Sequence, residues 1–198
     1  GILLQRALAI GANETAGGLV ATHYGTTPFA LVTSRNIGGD ALTTAQLLSI
    51  YRLETKSWPD ASPIRIILRP DEDTDTKTLV GHVDGLADAL RKMRALQSVP
   101  TATTLQENLD MAERLPGSLA ISALAAVVAE KRDLRPVAVD GVMPSPENLA
   151  NGTYPMAQPL FLVTRTGARQ AVGDFLAFVQ SPAGSVILLR NGVLPESR

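Results

Sequence analysis

Continuous apolar runs alternate along the chain with segments whose apolar positions recur every three or four residues. The runs at residues 27–33, 64–69 and 159–164 consist largely of apolar and β-branched side chains, which is typical of buried strands. Helical periodicity is clearest over residues 76–96, where the apolar side chains fall on one face of the predicted helix. Because parallel strands need crossover connections, this alternation predicts an α/β fold with mainly parallel pairing.

The remaining predicted elements continue the alternation. Further helices are predicted over residues 42–51, 105–112, 123–131 and 172–179, and further strands over residues 2–10, 99–104, 118–122 and 136–140. Residues 141–155 are dense in Pro, Gly and Asn without a clear period, so they predict a connection between two lobes. Trp58 follows an apolar helix and is interpreted as a packing anchor rather than as a ring that stacks on a ligand.

The composition narrows the functional classes. The 18 basic and 19 acidic residues leave a net charge of −1, which gives no argument for binding nucleic acid or an anionic membrane. The chain has no cysteine, which excludes thiol chemistry and zinc–cysteine sites. With two histidines, a multi-histidine metal site is disfavoured. No apolar stretch reaches the roughly 20 residues of a membrane span, and neither a metal nor a cofactor is predicted.

Charged and hydroxyl side chains are concentrated between the predicted strand 64–69 and the helix that follows it. Residues 69–77 read Arg-Pro-Asp-Glu-Asp-Thr-Asp-Thr-Lys. A strand-to-helix turn presents unpaired backbone N–H groups and the positive end of a helix dipole, and both attract anions. Asp and Thr are equally the ordinary residues for capping a helix. The residues alone leave both interpretations open.

Motifs for several enzyme and cofactor classes are absent from the sequence. It contains no GxxxxGK[ST] phosphate loop, HExxH, paired-cysteine zinc spacing or GxSxG. The glycine-rich segment 11–18 has the wrong spacing for a dinucleotide fingerprint and is interpreted as a turn. Asp71, Glu72, Asp73 and Asp75 offer oxygen ligands for a hard cation, but they lack EF-hand spacing and favour a solvated helix start.

Several separated stretches carry short sequence patterns whose order along the chain is informative. They are LTTAQLLSIY at residues 42–51 with Trp58, LPGSLA at 115–120, DGV and PSPEN within 140–148, and the segment from GTYP at 152–155 to Gly192. In this order they resemble the phosphate-type substrate-binding proteins of ABC transporters, a branch of the type 2 periplasmic-binding-protein superfamily. The resemblance covers nearly the whole chain and implies a two-lobed fold, each lobe a mainly parallel sheet flanked by helices.

The resemblance also implies a ligand-binding set. In that family an arginine shortly before a Ser-Gly-Thr triplet at a helix start binds the oxyanion; here the arginine falls on Arg69, and Thr74, Asp75 and Thr76 occupy the triplet. Asp75 departs from the family's glycine, and like charges about 4 Å apart repel by roughly 4 kcal/mol at an effective dielectric near 20. A bound phosphate is therefore expected only if Asp75 points away; otherwise the ligand is a protonated oxyanion, a neutral molecule or a cation.

A second departure lies at the front of the chain. Family members carry roughly one more βαβ stretch before the point where this sequence begins, so the first lobe is predicted to be incomplete and the chain to be a fragment, a processed remnant or a reduced homologue. The lobes are predicted as residues 1–61 with 142–198, and as residues 62–141. The resemblance implies a periplasmic or other extracytoplasmic location, although the given sequence shows no signal peptide.

The leading functional hypothesis is a non-catalytic solute-binding protein of an ABC uptake system. Its lobes would close on a small polar or phosphate-like oxyanion ligand, and a transporter permease is the implied partner. The alternative is a binding-protein fold retained as an interaction or regulatory module with a degraded ligand site; self-association is then expected if the N-terminal segment is truly absent. An enzyme ranks only third among the hypotheses. General acid–base catalysis would depend on acidic residues that have no evident catalytic partner.

Overall fold

The computed structural model describes residues 3–5, 15–16, 18–34, 39–96 and 98–196. Its strands are β1 (Leu3–Gln5), β2 (Thr15–Ala16), β3 (Leu19–Ser34), β4 (Ala41–Leu42), β5 (Arg65–Ile66), β6 (Ser118–Ala123), β7 (Leu134–Val139), β8 (Ala157–Arg165) and β9 (Leu194–Pro195). Its helices are α1 (Thr44–Tyr51), α2 (Thr74–His82), α3 (Leu86–Ala95), α4 (Leu105–Arg114), α5 (Leu124–Ala129), α6 (Pro146–Ala150), α7 (Gln170–Val179) and α8 (Pro182–Arg190). The predicted α/β class is confirmed.

Strand β3 is sixteen residues long and changes its partners halfway along. Residues 19–28 pair with β8, and the same half also pairs with β2 and β9. Residues 29–34 pair with β6 and β7 instead. Every side chain from Thr27 to Ser34 is buried, whereas most of the first half is partly exposed. This difference explains why the apolar pattern predicts a strand over residues 27–33 and misses the first half.

Strand direction differs from the sequence prediction. Among the described strands, parallel pairing is limited to β4 with β7 and β5 with β6. The pairs that β3 forms are antiparallel, as is the pair of β1 with β8, so the predicted mainly parallel sheets are corrected to mixed pairing. The physical reason is that β3 pairs with strands far along the chain, and such pairs do not need a crossover helix.

The helix predicted over residues 76–96 is two helices. Gly85 has φ of 80° and forms the N-cap of α3, three residues beyond the end of α2. This left-handed conformation favours glycine and breaks the helical hydrogen-bond ladder. The apolar period continues across the break because Leu79 and Leu90 pack into the same hydrophobic cluster.

Two other predicted segments also differ, and a third is only partly described. The predicted strand 99–104 contributes an isolated bridge between Leu68 and Thr101. The irregular segment 141–155 contains the short helix α6. Of the predicted strand 2–10, β1 is described, and residues 2 and 6–10 lie outside the described residues.

The larger hydrophobic cluster joins α1, α2 and α3 to the buried half of β3. Its buried members include Phe29, Tyr51, Met93 and Tyr154. Helix α1 thus packs with residues of the segment predicted to be the other lobe. The division into residues 1–61 with 142–198 and residues 62–141 stays a prediction.

Trp58 is buried, and its indole nitrogen donates a hydrogen bond to the carbonyl oxygen of Gly117 at 2.9 Å. The Gly117 N–H in turn donates to the Ser34 hydroxyl at 2.9 Å. Gly117 has φ of 72°, and a Cβ added there would lie 2.3 Å from the carbonyl oxygen of Pro63. A single glycine therefore lets three segments approach one another closely.

No single helix in the described ranges is long and apolar enough to cross a membrane. Helices α7 and α8 meet the requirements of length and composition only as a pair, with a bend of 64° between them.

Gly117→Ala is expected to lower the free energy of unfolding by about 2–4 kcal/mol, because alanine would need a left-handed backbone and a contact with Pro63 that is too short. Urea unfolding measures the change. Gly81→Ala is the matched control: no atom lies within 4 Å of its added Cβ, and the helical position predicts a gain of up to about 1 kcal/mol. Similar changes in both variants would contradict this packing.

Candidate functional site

The candidate site is the turn between β5 and α2, where all four predicted site residues lie. Beyond β5 the chain stays extended, because the Leu68 N–H donates to the Pro100 carbonyl and the Ala102 N–H donates to the Leu68 carbonyl, each at 2.9 Å. Asp73 is the N-cap of α2, and its carboxylate accepts a hydrogen bond from the Asp75 N–H at 2.9 Å. The capping interpretation of the acids therefore applies to Asp73.

Arg69 is buried, and the acceptors around its guanidinium come from the protein itself. Its Nη1 donates to the Ala102 carbonyl at 2.7 Å, and its Nη2 pairs with the Asp73 carboxylate at 2.5 Å. Its Nε lies 3.5 Å from the Asp75 carboxylate, and the Asp75 side chain has 0% of its surface exposed. The Asp75 carboxylate therefore points toward Arg69 and does not point away from it.

The two threonines have different surroundings. The Thr76 hydroxyl donates to the Arg69 carbonyl at 3.2 Å, so it closes the turn. The Thr74 hydroxyl oxygen is buried and has no hydrogen-bond partner among the residues the structure describes. Of these two hydroxyls, Thr74 is the one available to a small polar group.

Arg94, in the last turn of α3, is a second arginine at the site and was missed by the sequence analysis. Its Nη2 donates to the Arg69 carbonyl at 2.5 Å, and its Nε lies 2.7 Å from the Asp71 carboxylate. No local spacing connects positions 69 and 94. The available signal was the excess of acids, since four carboxylates within residues 71–75 require more than one cation nearby.

Charges at the turn affect neighbouring groups. Hydrogen bonds from the Thr103 backbone and hydroxyl hold the pKa of Glu107 below its ordinary value, and the charge of Arg69 adds a smaller lowering. Burial raises the pKa of Tyr51, an effect that Arg94 partly offsets. Within the turn, two arginines pair with three aspartates, which leaves a formal charge of −1 on this set.

Three pockets in the described part of the chain have linings that do not include Arg69. One of about 500 Å³ lies between α1 and α3, and one of about 350 Å³ lies near β5. A third, of about 270 Å³, is lined by Asp71, Thr76 and Lys77 together with residues of α2 and α3. None of these three pockets is lined by Arg69 or Asp75.

The structure thus brings Arg69, Thr74, Asp75 and Thr76 together on one turn, while their role in binding a ligand stays a prediction. The described residues contain no group of three or more His, Asp or Glu side chains that could hold a metal ion. The arrangement neutralises a buried guanidinium with internal carboxylates. A small anion at Arg69 would compete with Asp73 and Asp75 for the guanidinium.

Comparisons with known proteins agree with this fold. A family model described as a PBP superfamily domain matches residues 3–183. Two curated proteins, each described as phosphate-binding protein PstS 2, come from two strains of Streptococcus agalactiae and are 22% identical over 137 residues, or 67% of this chain. That match spans 45% of each relative's length.

Solved structures with a similar fold include a candidate phosphate ABC transporter substrate-binding protein with bound phosphate from Clostridium perfringens. It has a TM-score of 0.71 and 19% identity, and the match covers 94% of this chain and 77% of that one. PstS from Borrelia burgdorferi has a TM-score of 0.59 and 19% identity, with 91% of this chain and 74% of that one covered. At 19% identity, these similarities show that the folds are alike.

Arg69→Met is expected to lower the free energy of unfolding by about 3–5 kcal/mol, because it leaves buried carboxylates without their cation. Arg91→Met is the control, since Arg91 and Asp88 form an exposed pair that contributes about 0–1 kcal/mol. Chemical unfolding of both variants measures the difference. A loss below about 1 kcal/mol for Arg69→Met would show that the pair is not structural.

Proposed function

The chain belongs to the PBP superfamily, and from this membership we propose that it is a non-catalytic solute-binding protein. Its lobes close on a small polar ligand, which it delivers to an ABC transporter permease outside the cytoplasm. The observation that carries this proposal is the family match over residues 3–183. The turn at Arg69 supports it, because the sequence resemblance aligns that turn with the family's ligand turn. The phosphate-binding descriptions of the curated relatives support a solute-binding role.

The lobes in this proposal meet along β3 and β8. The first half of β3 pairs with β8 and β9, while its second half belongs to the hydrophobic cluster that contains α1, α3 and Tyr154. This packing supports a middle lobe of residues 29–156, joined to the other lobe near Pro28 and Ala157, in place of the predicted middle lobe of residues 62–141. The two connections in this proposal, one within β3 and one at the start of β8, are a suitable place for hinge closure.

The ligand in this proposal is not a bare dianion. The turn already carries a formal charge of −1 on its paired groups, and Asp75 lies beside the guanidinium that a dianion would approach. At about 4 Å the repulsion is roughly 4 kcal/mol, which is comparable to the net contribution of several hydrogen bonds. A protonated oxyanion or a neutral polar molecule avoids this cost, since it can donate a hydrogen bond to a carboxylate.

A second candidate is an interaction or regulatory module that has lost its ligand site. The pairing of Arg69 with Asp73, Asp75 and the Ala102 carbonyl favours it. Both Nη nitrogens of the guanidinium donate to internal acceptors, and Nε lies 3.5 Å from the Asp75 carboxylate. In this case the turn stabilises the fold and binds no ligand.

Titration calorimetry with phosphate, sulfate and molybdate separates the two candidates. We expect Asp75→Asn, which removes the charge and keeps the shape, to bind phosphate at least tenfold more tightly than the unmodified protein, a change of about 1.4 kcal/mol. Asp88→Asn, in the exposed pair on α3, is the control and should leave the heats unchanged.

The competing results have distinct meanings. If neither the unmodified protein nor Asp75→Asn gives heat or a thermal shift with any of the three anions, the oxyanion version is excluded and the second candidate is favoured. An increase of equal size for Asp88→Asn would show a general effect of net charge instead of an effect at the turn.

A further inference from the structure

Thr27 is fully buried in β3 and directly precedes Pro28, where one of the two proposed connections between the lobes lies. Its hydroxyl donates to the Gly192 carbonyl at 2.9 Å and accepts from the Ala125 N–H at 3.0 Å. The Pro28 carbonyl, at 3.5 Å, is a more distant acceptor. A single side chain at this connection therefore holds two segments that are far apart in the sequence.

The Ala125 N–H belongs to the proposed middle lobe. It lies in the first turn of α5, whose N-cap Ala123 has no side-chain oxygen, so the Thr27 hydroxyl supplies the acceptor that a cap would give. Leu124 and Val127 of the same helix are buried in the smaller hydrophobic cluster, together with side chains from the second half of β3 and from α4. The bond to Ala125 thus ties Thr27 to the packed body of the middle lobe.

The Gly192 carbonyl belongs to the other proposed lobe, in the connection between α8 and β9. Strand β9 pairs with the first half of β3, and a Cβ added to Gly25 would lie 2.6 Å from the Val193 side chain. Gly192 has φ of 76°, and a Cβ added there would lie 3.2 Å from the Leu124 side chain. The two proposed lobes therefore meet at close range beside Thr27.

The two bonds of Thr27 restrict how the proposed lobes can move. Hydrogen bonds weaken steeply when donor and acceptor separate or lose alignment. Sliding of one lobe along β3 would leave the buried Ala125 N–H or the Gly192 carbonyl without its partner, a state that folded proteins rarely contain. Rotation about an axis near Thr27 preserves both bonds, because atoms close to an axis of rotation hardly move. The contacts thus oppose sliding and permit closure.

We propose that the Thr27 hydroxyl is the pivot of lobe closure, a buried group bonded to both lobes that determines their relative orientation. This pivot rests on the proposed solute-binding function and its middle lobe of residues 29–156. It extends that function by naming the group about which the lobes turn. The turn at Arg69 lies within the middle lobe and would move about this point.

Double electron–electron resonance between two spin labels tests the pivot. Lys92→Cys and Asp174→Cys place one label on an exposed side chain of each proposed lobe, and the sequence has no cysteine that would add background. Thr27→Val removes both bonds and keeps the shape of the side chain. Because sliding then becomes possible, we expect the distribution of label distances to become roughly twice as wide. Thr27→Ser keeps the hydroxyl and should retain the narrow distribution.

A pair of labels inside the middle lobe is the matched control. Lys92→Cys with Arg114→Cys, both exposed positions, should give the same width with Thr27 and with Val at position 27. Circular dichroism and a thermal melt establish that each variant is folded. Thr27→Ala, which also lacks the hydroxyl and is smaller, replaces Thr27→Val if the latter does not fold.

Hydrogen exchange provides a second readout that needs no label. In Thr27→Val the Ala125 N–H has lost its acceptor, so we expect its exchange to be about tenfold faster. The Ala102 N–H, which donates to the Leu68 carbonyl within the middle lobe, should exchange at an unchanged rate. Equal acceleration at both amides would indicate a general loss of stability and would contradict the pivot.

Other results would also overturn it. An unchanged distance between the lobes in folded Thr27→Val would show that the hydroxyl does not hold them. Equal widening for both pairs of labels, or a wide distribution in Thr27→Ser, would have the same meaning. These measurements use no ligand, so an absence of heat in the calorimetry would count against the oxyanion version of the proposed function and leave the outcome for Thr27 unaffected.

Discussion

The buried guanidinium of Arg69 is the constraint on which the β5–α2 turn depends. A charge removed from water costs several kcal/mol unless opposite charge and hydrogen bonds compensate for it. Asp73, Asp75 and the Ala102 carbonyl provide that compensation, and Asp73 also caps α2. One carboxylate therefore starts the helix and neutralises the arginine. Capping and anion binding are not true alternatives here, because the anion that the arginine attracts is itself the cap.

Hydrogen bonds to neighbouring elements hold the turn in place. The backbone bonds of Leu68 hold the end of the strand in place, and the carbonyl of Arg69 accepts from both Thr76 and Arg94. These contacts join β5, α2 and α3 on one side of the hydrophobic cluster. The paired groups of the turn thus belong to a packed body, while β3 and β8 lead away from it. In the proposed two-lobed arrangement, the turn would move with its lobe as one body.

Within β3, the apolar pattern predicted the part whose burial is complete and missed the part whose burial is partial. The buried half of β3 was found and the half-exposed half was not, because only the former shows a continuous apolar run. Gly81 and Gly85 look alike in the sequence, yet one is helical and the other breaks the helix. At the site, the spacing of Arg69 and Asp73 was visible. The contribution of Arg94 was not, because it arises from tertiary packing across positions that share no local pattern.

Competition between a ligand and Asp73 or Asp75 is governed by effective concentration. A tethered group near its partner acts as if present at millimolar concentration or above, without the loss of free translation that a ligand suffers. An anion at micromolar concentration cannot displace these carboxylates through Arg69 alone. It must add contacts that the carboxylates lack, and the buried hydroxyl of Thr74 is one group able to supply them. A ligand that also donates a hydrogen bond to Asp75 keeps the existing ion pair and gains a new contact. For this reason the proposed exclusion of a bare dianion is compatible with the binding of a ligand that carries its own proton.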